Sequence, residues 1–166
     1  MNKWKIKNPQ LDQTKLVEEV YRSRGVENYL ELFSLDEKTF NDPYLFRDMQ
    51  KSVDRIMKAI ERKERILIYG DYDVDGTTSV SMLYDYFKKK NLEPLYYIPD
   101  RYKEGYGVSA ESITFAAEQK VALIITIDCG IKAKDKIQAA NDKGIDVIIC
   151  DHHIPDTSIP KAYSII

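Results

Sequence analysis

Acidic side chains follow each apolar run in the latter part of this 166-residue sequence. Asp71, Asp73 and Asp75 come after Ile66-Leu67-Ile68-Tyr69, Asp100 after Leu95-Tyr96-Tyr97-Ile98, Asp128 after the run from Val121 to Ile127, and Asp151-His152-His153 after Val147-Ile148-Ile149. An isolated Asp after a strand is usually a loop former or a helix cap. Several segments that deliver carboxylates to one edge, with no cluster of Lys or Arg to neutralise them, need another explanation. Like charges a few ångströms apart repel by about 1 to 4 kcal/mol per pair between bulk-water and surface-like dielectric, and divalent cations relieve that repulsion. Oxygen ligands with one or two imidazoles suit manganese or magnesium first, with zinc, cobalt and iron behind them. Two such ions sharing a carboxylate at roughly 3.5 to 4 Å are equipped for phosphate-ester hydrolysis. The two cysteines, Cys129 and Cys150, form no Cys-x-x-Cys pair, which excludes a thiolate metal site and a disulfide framework. They read as small buried residues beside the site.

Within Asp71-Tyr72-Asp73-Val74-Asp75, an extended backbone would turn alternate carboxylates to the same side. Gly70 and Gly76 bracket the motif and give freedom for a tight turn near a ligand. A helix-loop-helix calcium loop starts similarly, but its downstream Glu is absent and a strand precedes the motif. Arg101, Lys103 and Gly105-Tyr106-Gly107 form the basic, glycine-containing loop near the acidic edge. There Arg101 is expected to meet a substrate phosphate, with the glycines allowing close backbone approach. Asp73-Val74-Asp75-Gly76-Thr77 also matches the nucleophile motif of haloacid-dehalogenase-type phosphatases, with Asp73 as nucleophile and Asp75 as acid and base. That alternative leaves Asp128-Cys129-Gly130 and both histidines unexplained.

The elements that must position these groups change character near residue 64. Residues 1–64 read as a helical amino-terminal segment: Leu16, Val17 and Val20 share one face, and Met49, Val53, Ile56 and Ile60 another, after a loop at Asn41-Asp42-Pro43. Arg47, Lys51, Arg55, Lys58, Glu61, Arg62 and Lys63 are expected on solvated helix faces. Residues 65–166 alternate strand runs with amphipathic stretches, which predicts an α/β domain with a mainly parallel sheet of about five strands and helices on both faces. One helix is expected to be capped by Thr77 or Thr78 and to bury Val80, Leu83, Tyr84 and Phe87. A second is capped by Ser109, and a third runs from Ala133 to Asp142. In such sheets ligands bind beyond the carboxyl ends of the strands, where the acids fall. The composition is that of a globular chain, 43% hydrophobic and 31% charged with a formal net charge of −2. No apolar run approaches the roughly 18 to 20 residues that span a bilayer, and Met1 to Lys7 lack the apolar core of a signal peptide, so a cytoplasmic protein is expected.

Asp71-Tyr72-Asp73-Val74-Asp75-Gly76, Asp128-Cys129-Gly130 and Asp151-His152-His153, in that order, resemble motifs I, II and III of the DHH phosphoesterase superfamily. Ile68-Tyr69-Gly70, Tyr97-Ile98-Pro99-Asp100-Arg101, Gly105-Tyr106-Gly107, Trp4 and Asn41-Asp42-Pro43 bring the resemblance close to its RecJ branch of single-stranded-DNA-specific exonucleases. The resemblance implies Asp73 on one ion and Asp75 on the other, Asp71 as a further ligand, Asp128 as the bridge and His152 as the imidazole ligand. It also implies His153, with Asp128 and Arg101, in catalysis, and Asp151 as the carboxylate that orients an imidazole. Arg101, Tyr106, Gly107 and His153 would bind substrate. Mn2+ is the implied cofactor, with Mg2+ as the alternative. The implied reaction is 5′-to-3′ hydrolysis of single-stranded DNA in recombination and repair, alongside helicase or single-strand-binding-protein partners. Other family phosphoesterases act on oligonucleotides or cyclic dinucleotides. Family members add a fourth motif with another metal-binding Asp and a DHH-associated domain. The resemblance therefore implies that residues 65–166 hold an incomplete domain, an amino-terminal fragment of low activity or a non-catalytic truncated module.

Overall fold

Short runs of β-branched residues, buried on both sides, build the centre of the molecule. The computed structural model describes residues 15–33 and 40–166, so Trp4 lies outside the described residues. Contacts divide the chain into one unit ending at Asp42 and another running Pro43–Ile166. In the first, helix α1 spans Leu16–Arg22, including the predicted Leu16, Val17 and Val20, and a 3-10 turn spans Tyr29–Phe33. Tyr21 stacks on Tyr29 at 5.3 Å between ring centroids, and Phe33 meets both rings edge-on.

The second unit begins with a 3-10 turn, Pro43–Leu45, and helix α2, Met49–Glu61. Then come β1 Arg65–Gly70, α3 Val74–Lys89, β2 Leu95–Tyr97, α4 Ala110–Glu118, β3 Val121–Ile127, α5 Lys134–Asp142, β4 Asp146–Cys150 and β5 Ser164–Ile165. All pairings are parallel, and the five strands lie in the order β2-β1-β3-β4-β5. Alternation along each strand sorts the core into two layers. Leu67, Tyr69, Ile124, Val147 and Ile149 pack with Ile113, Ala116, Ile137 and Ala140 of α4 and α5. Ile66, Ile68, Leu123, Ile125 and Ile148 pack with Ala59 of α2 and with Val80 and Phe87 of α3. The predicted five-stranded α/β sheet with helices on both faces is therefore present. Each fully buried aliphatic side chain contributes roughly 1.5 to 3 kcal/mol. From β1 the chain first crosses to β2 on one side and then returns to β3 on the other. This topological switch opens a crevice at the carboxyl ends of β1 and β3, where open α/β sheets bind ligands.

Two local expectations need correction. Helix α3 starts at Val74, because Asp73 is its N-cap and accepts the Asp75 and Gly76 N–H groups at 3.0 and 3.1 Å. The Thr77 and Thr78 hydroxyls instead donate back to the Asp73 and Val74 carbonyls, both at 2.6 Å, inside the first turns. Second, Arg55 is not solvated. It is 5% exposed and its guanidinium pairs with Glu64 at 2.8 Å and Asp146 at 2.6 Å. It also donates to the Ala122 carbonyl at 3.3 Å, so it ties α2 to the amino-terminal ends of β3 and β4. Arg55→Ala is expected to cost about 2 kcal/mol in urea unfolding, because it strands Glu64 and Asp146 and leaves the Ala122 carbonyl short of a donor. Nearby, Ser52 donates to or accepts from Ser164 at 2.7 Å, and Asp48 accepts the Ile165 N–H at 3.2 Å, anchoring α2 to the edge strand.

Candidate metal centre

Asp71 sits at the end of β1, 1% exposed, and neither of its carboxylate oxygens has a hydrogen-bond partner. Burial pushes its pKa above the ordinary carboxyl value, the Tyr72 backbone N–H and the charge of His153 pull the other way, and the neighbouring charges of Asp73 and Asp128 add to the rise. A buried carboxyl with idle oxygens is costly unless a cation or proton meets it. The motif is not the extended segment expected from sequence. The chain turns at Asp73 into α3, which leaves Asp71 buried on the strand end, Asp73 capping the helix and Asp75 exposed in its first turn. Gly70 and Gly76 serve this turn sterically. A Cβ on Gly76 would lie 2.3 Å from the Asp71 carbonyl oxygen, and one on Gly70 2.3 Å from Val80 and 2.9 Å from the Gly76 carbonyl oxygen. Backbone must therefore approach backbone here.

Asp128 follows β3 with φ of 61°, a left-handed conformation that Asp tolerates better than most residues. Its N–H donates to the Cys150 carbonyl at 2.9 Å, locking the β3 end to the β4 end. Its carboxylate, 8% exposed, lies 3.1 Å from His152 Nε2. Burial and then Asp73 push its pKa up, while the two histidines pull the other way. Asp128, His152 and His153 each offer a ligand-capable atom, and these atoms lie within 4.8 Å of one another. Asp75, Ser79, Asp128 and His152 also line a single open groove of about 500 Å3. The structure thus brings Asp71, Asp73, Asp75, Asp128 and His152 to one edge.

Asp151 is committed elsewhere. One oxygen accepts the Ile131 N–H at 2.9 Å, and the other accepts the His153 N–H at 3.1 Å and its Nδ1–H at 2.7 Å. Burial alone would raise the Asp151 pKa, but these hydrogen bonds outweigh it and leave the carboxyl below its usual range. His153 gains in return: its bond to Asp151 raises its pKa. The Tyr106 hydroxyl lies 3.1 Å from His153 Nε2 and donates to the Asp128 carbonyl at 3.2 Å. Burial, then Asp71, Asp128 and Asp151, push that phenol well above its ordinary range, so it stays a neutral hydroxyl. Arg101 lies over the Tyr72 ring at 5.3 Å, and Tyr72 meets Tyr106 edge-on at 6.3 Å. Asp100 is a loop former: it accepts the Tyr102 and Lys103 N–H groups. Cys129 is buried and Cys150 half-buried, and burial pushes the Cys150 thiol up to about 11, so both stay unreactive thiols.

Sequence reasoning missed the part that holds this loop. Glu104 accepts from the Asp100 N–H at 2.8 Å, the Tyr97 hydroxyl at 2.9 Å and the Ser109 hydroxyl at 2.5 Å. The Tyr69 hydroxyl donates to the Gly107 carbonyl at 2.7 Å. Tyr106 sits between these ties. Glu104→Ala is expected to remove about 2 kcal/mol and to speed amide hydrogen exchange across residues 100–109 more than in the sheet. The only signal in the sequence was a Glu beside the glycine turn.

The model of the DHH family, N-terminal domain, matches residues 65–166, which include every residue placed at this edge. The chain belongs to the DHH family. The single-stranded-DNA-specific exonuclease RecJ of Bacillus subtilis is 36% identical over 177 residues, covering 99% of this DHH chain and 22% of its own length. The corresponding Escherichia coli protein is 32% identical over 91% of the chain and 26% of its own length. The DHH chain thus spans about a quarter of the length of these relatives. A crystal structure of exonuclease RecJ bound to manganese superposes with a TM-score of 0.67 at 29% identity, covering 72% of this chain and 31% of that one. The match covers Asp128-Cys129-Gly130 and the histidine pair, which the haloacid-dehalogenase alternative leaves unexplained.

Proposed function

We propose that this chain carries the front of the catalytic site of a RecJ-like exonuclease, which hydrolyses phosphodiester bonds of single-stranded DNA 5′-to-3′ with a divalent cation, manganese first and magnesium as the alternative. The observation that carries this reading is Asp71, a buried carboxylate with both oxygens unpartnered at the crevice between β1 and β3. The donor set around it is carboxylate and imidazole, and the thiols of Cys129 and Cys150 are held protonated, which suits a hard cation. Asp71, Asp73, Asp75, Asp128 and His152 would hold such a cation. When bound, such ions lower the pKa of a water and polarise a phosphoryl oxygen.

The chain's own residues supply the rest. Asp151 keeps a proton on His153 Nδ1 and fixes the ring, leaving Nε2 beside the Tyr106 hydroxyl. A protonated His153, favoured by that carboxylate, donates to a non-bridging oxygen of the scissile phosphate. Arg101, at the rim over Tyr72, offers its guanidinium to a second phosphate. Gly107, with φ of 80° and open space where a Cβ would stand, lets the strand pass close to the loop. Residues 1–64 would precede this domain at 65–166, with α2 packed on its sheet. Recombination and repair, a helicase or single-strand-binding partner and a cytoplasmic setting go with the same reading. Support comes from relatives named as single-stranded-DNA-specific exonucleases and from the likeness to a manganese-bound RecJ. No helix among the described residues is long and apolar enough to cross a membrane.

The test is the release of nucleotides from end-labelled single strands and duplexes with manganese. Shortening of single strands from the 5′ end is expected, reduced about 100-fold or more by His153→Ala. Equal cleavage by His153→Ala, or a phospho-aspartyl adduct on the chain, would contradict the proposal.

A further inference from the structure

Helix α2 lies ahead of residues 65–166, the part matched by the family model, yet one of its faces serves the last strand of that part. Asp48 stands at the N-cap of α2, where an Asp ordinarily accepts from its own helix. It makes no such cap bond. Its carboxylate accepts instead from the Ile165 N–H at 3.2 Å, 117 residues along the chain. One turn further on, the Ser52 and Ser164 hydroxyls meet at 2.7 Å, each residue 1% exposed. The Lys51 ammonium lies 4.8 Å from the centre of the Tyr163 ring. Asp48, Lys51 and Ser52 follow the three-and-four spacing of one helix face, so together they grip Tyr163, Ser164 and Ile165.

A strand of two residues has few ladder bonds of its own and depends on such ties. Its far end reaches the site. The Ile166 N–H donates to the Ile149 carbonyl at 2.8 Å, and the Ile166 carbonyl accepts the Asp151 N–H at 3.2 Å. Asp151 in turn holds the His153 N–H and Nδ1–H on one carboxylate oxygen. The loop between His153 and Tyr163 is tied to α5 by Lys134 to Ser158 at 3.3 Å and by Asn141 to the Lys161 carbonyl at 2.8 Å. Both bonds are exposed, where water competes for them.

We infer that α2 is a positioning element for the histidine pair: Asp48 and Ser52 hold β5, β5 holds the Asp151 backbone, and Asp151 sets the His153 ring. The bearing of this relay on hydrolysis rests on the proposed exonuclease reading, in which His153 meets the scissile phosphate. The placement of His153 does not. A misplacement of about 1 Å at a reacting group costs on the order of a hundredfold in rate, so slackening one tie of several is expected to lower turnover without abolishing it.

Amide hydrogen exchange read by NMR on the metal-free chain and on Asp48→Ala, Asp48→Asn and Ser52→Ala tests this. Asp48→Ala is expected to speed exchange about tenfold at Ile165, Asp151 and His153, with Leu67 of β1 and Ile124 of β3 unchanged. Ser52→Ala should loosen the same amides. Asp48→Asn keeps an acceptor oxygen for the Ile165 N–H and should restore their protection. On labelled single strands with manganese, Asp48→Ala is expected to lower kcat about tenfold with KM within about twofold, again restored by Asp48→Asn. Faster exchange at Ile165 alone, or equally across the whole sheet, overturns the relay and leaves Asp48 a structural residue. An unchanged kcat in Asp48→Ala overturns its part in hydrolysis. Asp48-dependent exchange at Asp151 and His153 in a chain that cleaves no DNA keeps the relay and sinks the exonuclease reading, and DNA cleavage with Asp48-independent exchange does the reverse.

Discussion

Gly76→Ala is expected to cost about 3 kcal/mol, enough to unfold a large share of a marginally stable domain. The reason is geometric. The added Cβ would stand 2.3, 2.6 and 2.7 Å from the carbonyl oxygen, N and carbonyl carbon of Asp71. These are backbone atoms that no rotamer change can move, so either α3 lifts from the end of β1 or Asp71 leaves its place. Gly107→Ala makes the contrast. It meets nothing within 4 Å and suffers only from φ of 80°, a cost of about 1 to 2 kcal/mol. Urea unfolding of the two variants checks the ranking, and a Gly76→Ala midpoint at or above that of Gly107→Ala would refute the close-packing explanation.

The second large effect carries opposite signs in two conditions. Asp71→Asn removes a negative charge from a buried site near Asp73 and Asp128, so without metal the variant is expected to be more stable than the unaltered chain, by on the order of 1 kcal/mol. With manganese the order reverses. The unaltered chain is expected to gain stability in proportion to the logarithm of metal concentration over its dissociation constant, whereas Asp71→Asn, without the proposed ligand, is expected to bind about a hundredfold more weakly or worse. Thermal unfolding with EDTA and with manganese reads both signs. An Asp71→Asn chain that is less stable without metal and equally stabilised with it would show that Asp71 is a structural hydrogen-bonding residue.

Much of this was legible in the sequence because its causes are local. Ile66 to Tyr69, Val121 to Ile127 and Val147 to Ile149 are unbroken apolar runs bounded by polar residues, and such runs become buried parallel strands. Ser109 was readable as a cap because it precedes an amphipathic stretch, and its hydroxyl does accept the Ser112 N–H at 3.0 Å. The acids after the strands were readable because strand direction fixes which edge they reach. The failures share a different cause, contacts that exist only once the chain has folded. Arg55 has the spacing of a solvated residue, yet Glu64 and Asp146 draw its guanidinium inward. Gly76 looked like a source of turn flexibility, while its actual constraint is the Asp71 backbone brought against it by the fold. The left-handed backbone of Asp128 and the tie from Asp48 to Ile165 depend on where β3, β4 and β5 end in space.

The most direct test is a manganese titration followed by electron paramagnetic resonance, in which free ion is seen and bound ion is broadened away. Saturable binding by the unaltered chain, reduced about a hundredfold or more in Asp128→Asn, is the expected result. No saturable binding, or binding of equal strength in Asp128→Asn, would contradict a divalent-cation centre at the carboxyl ends of β1 and β3.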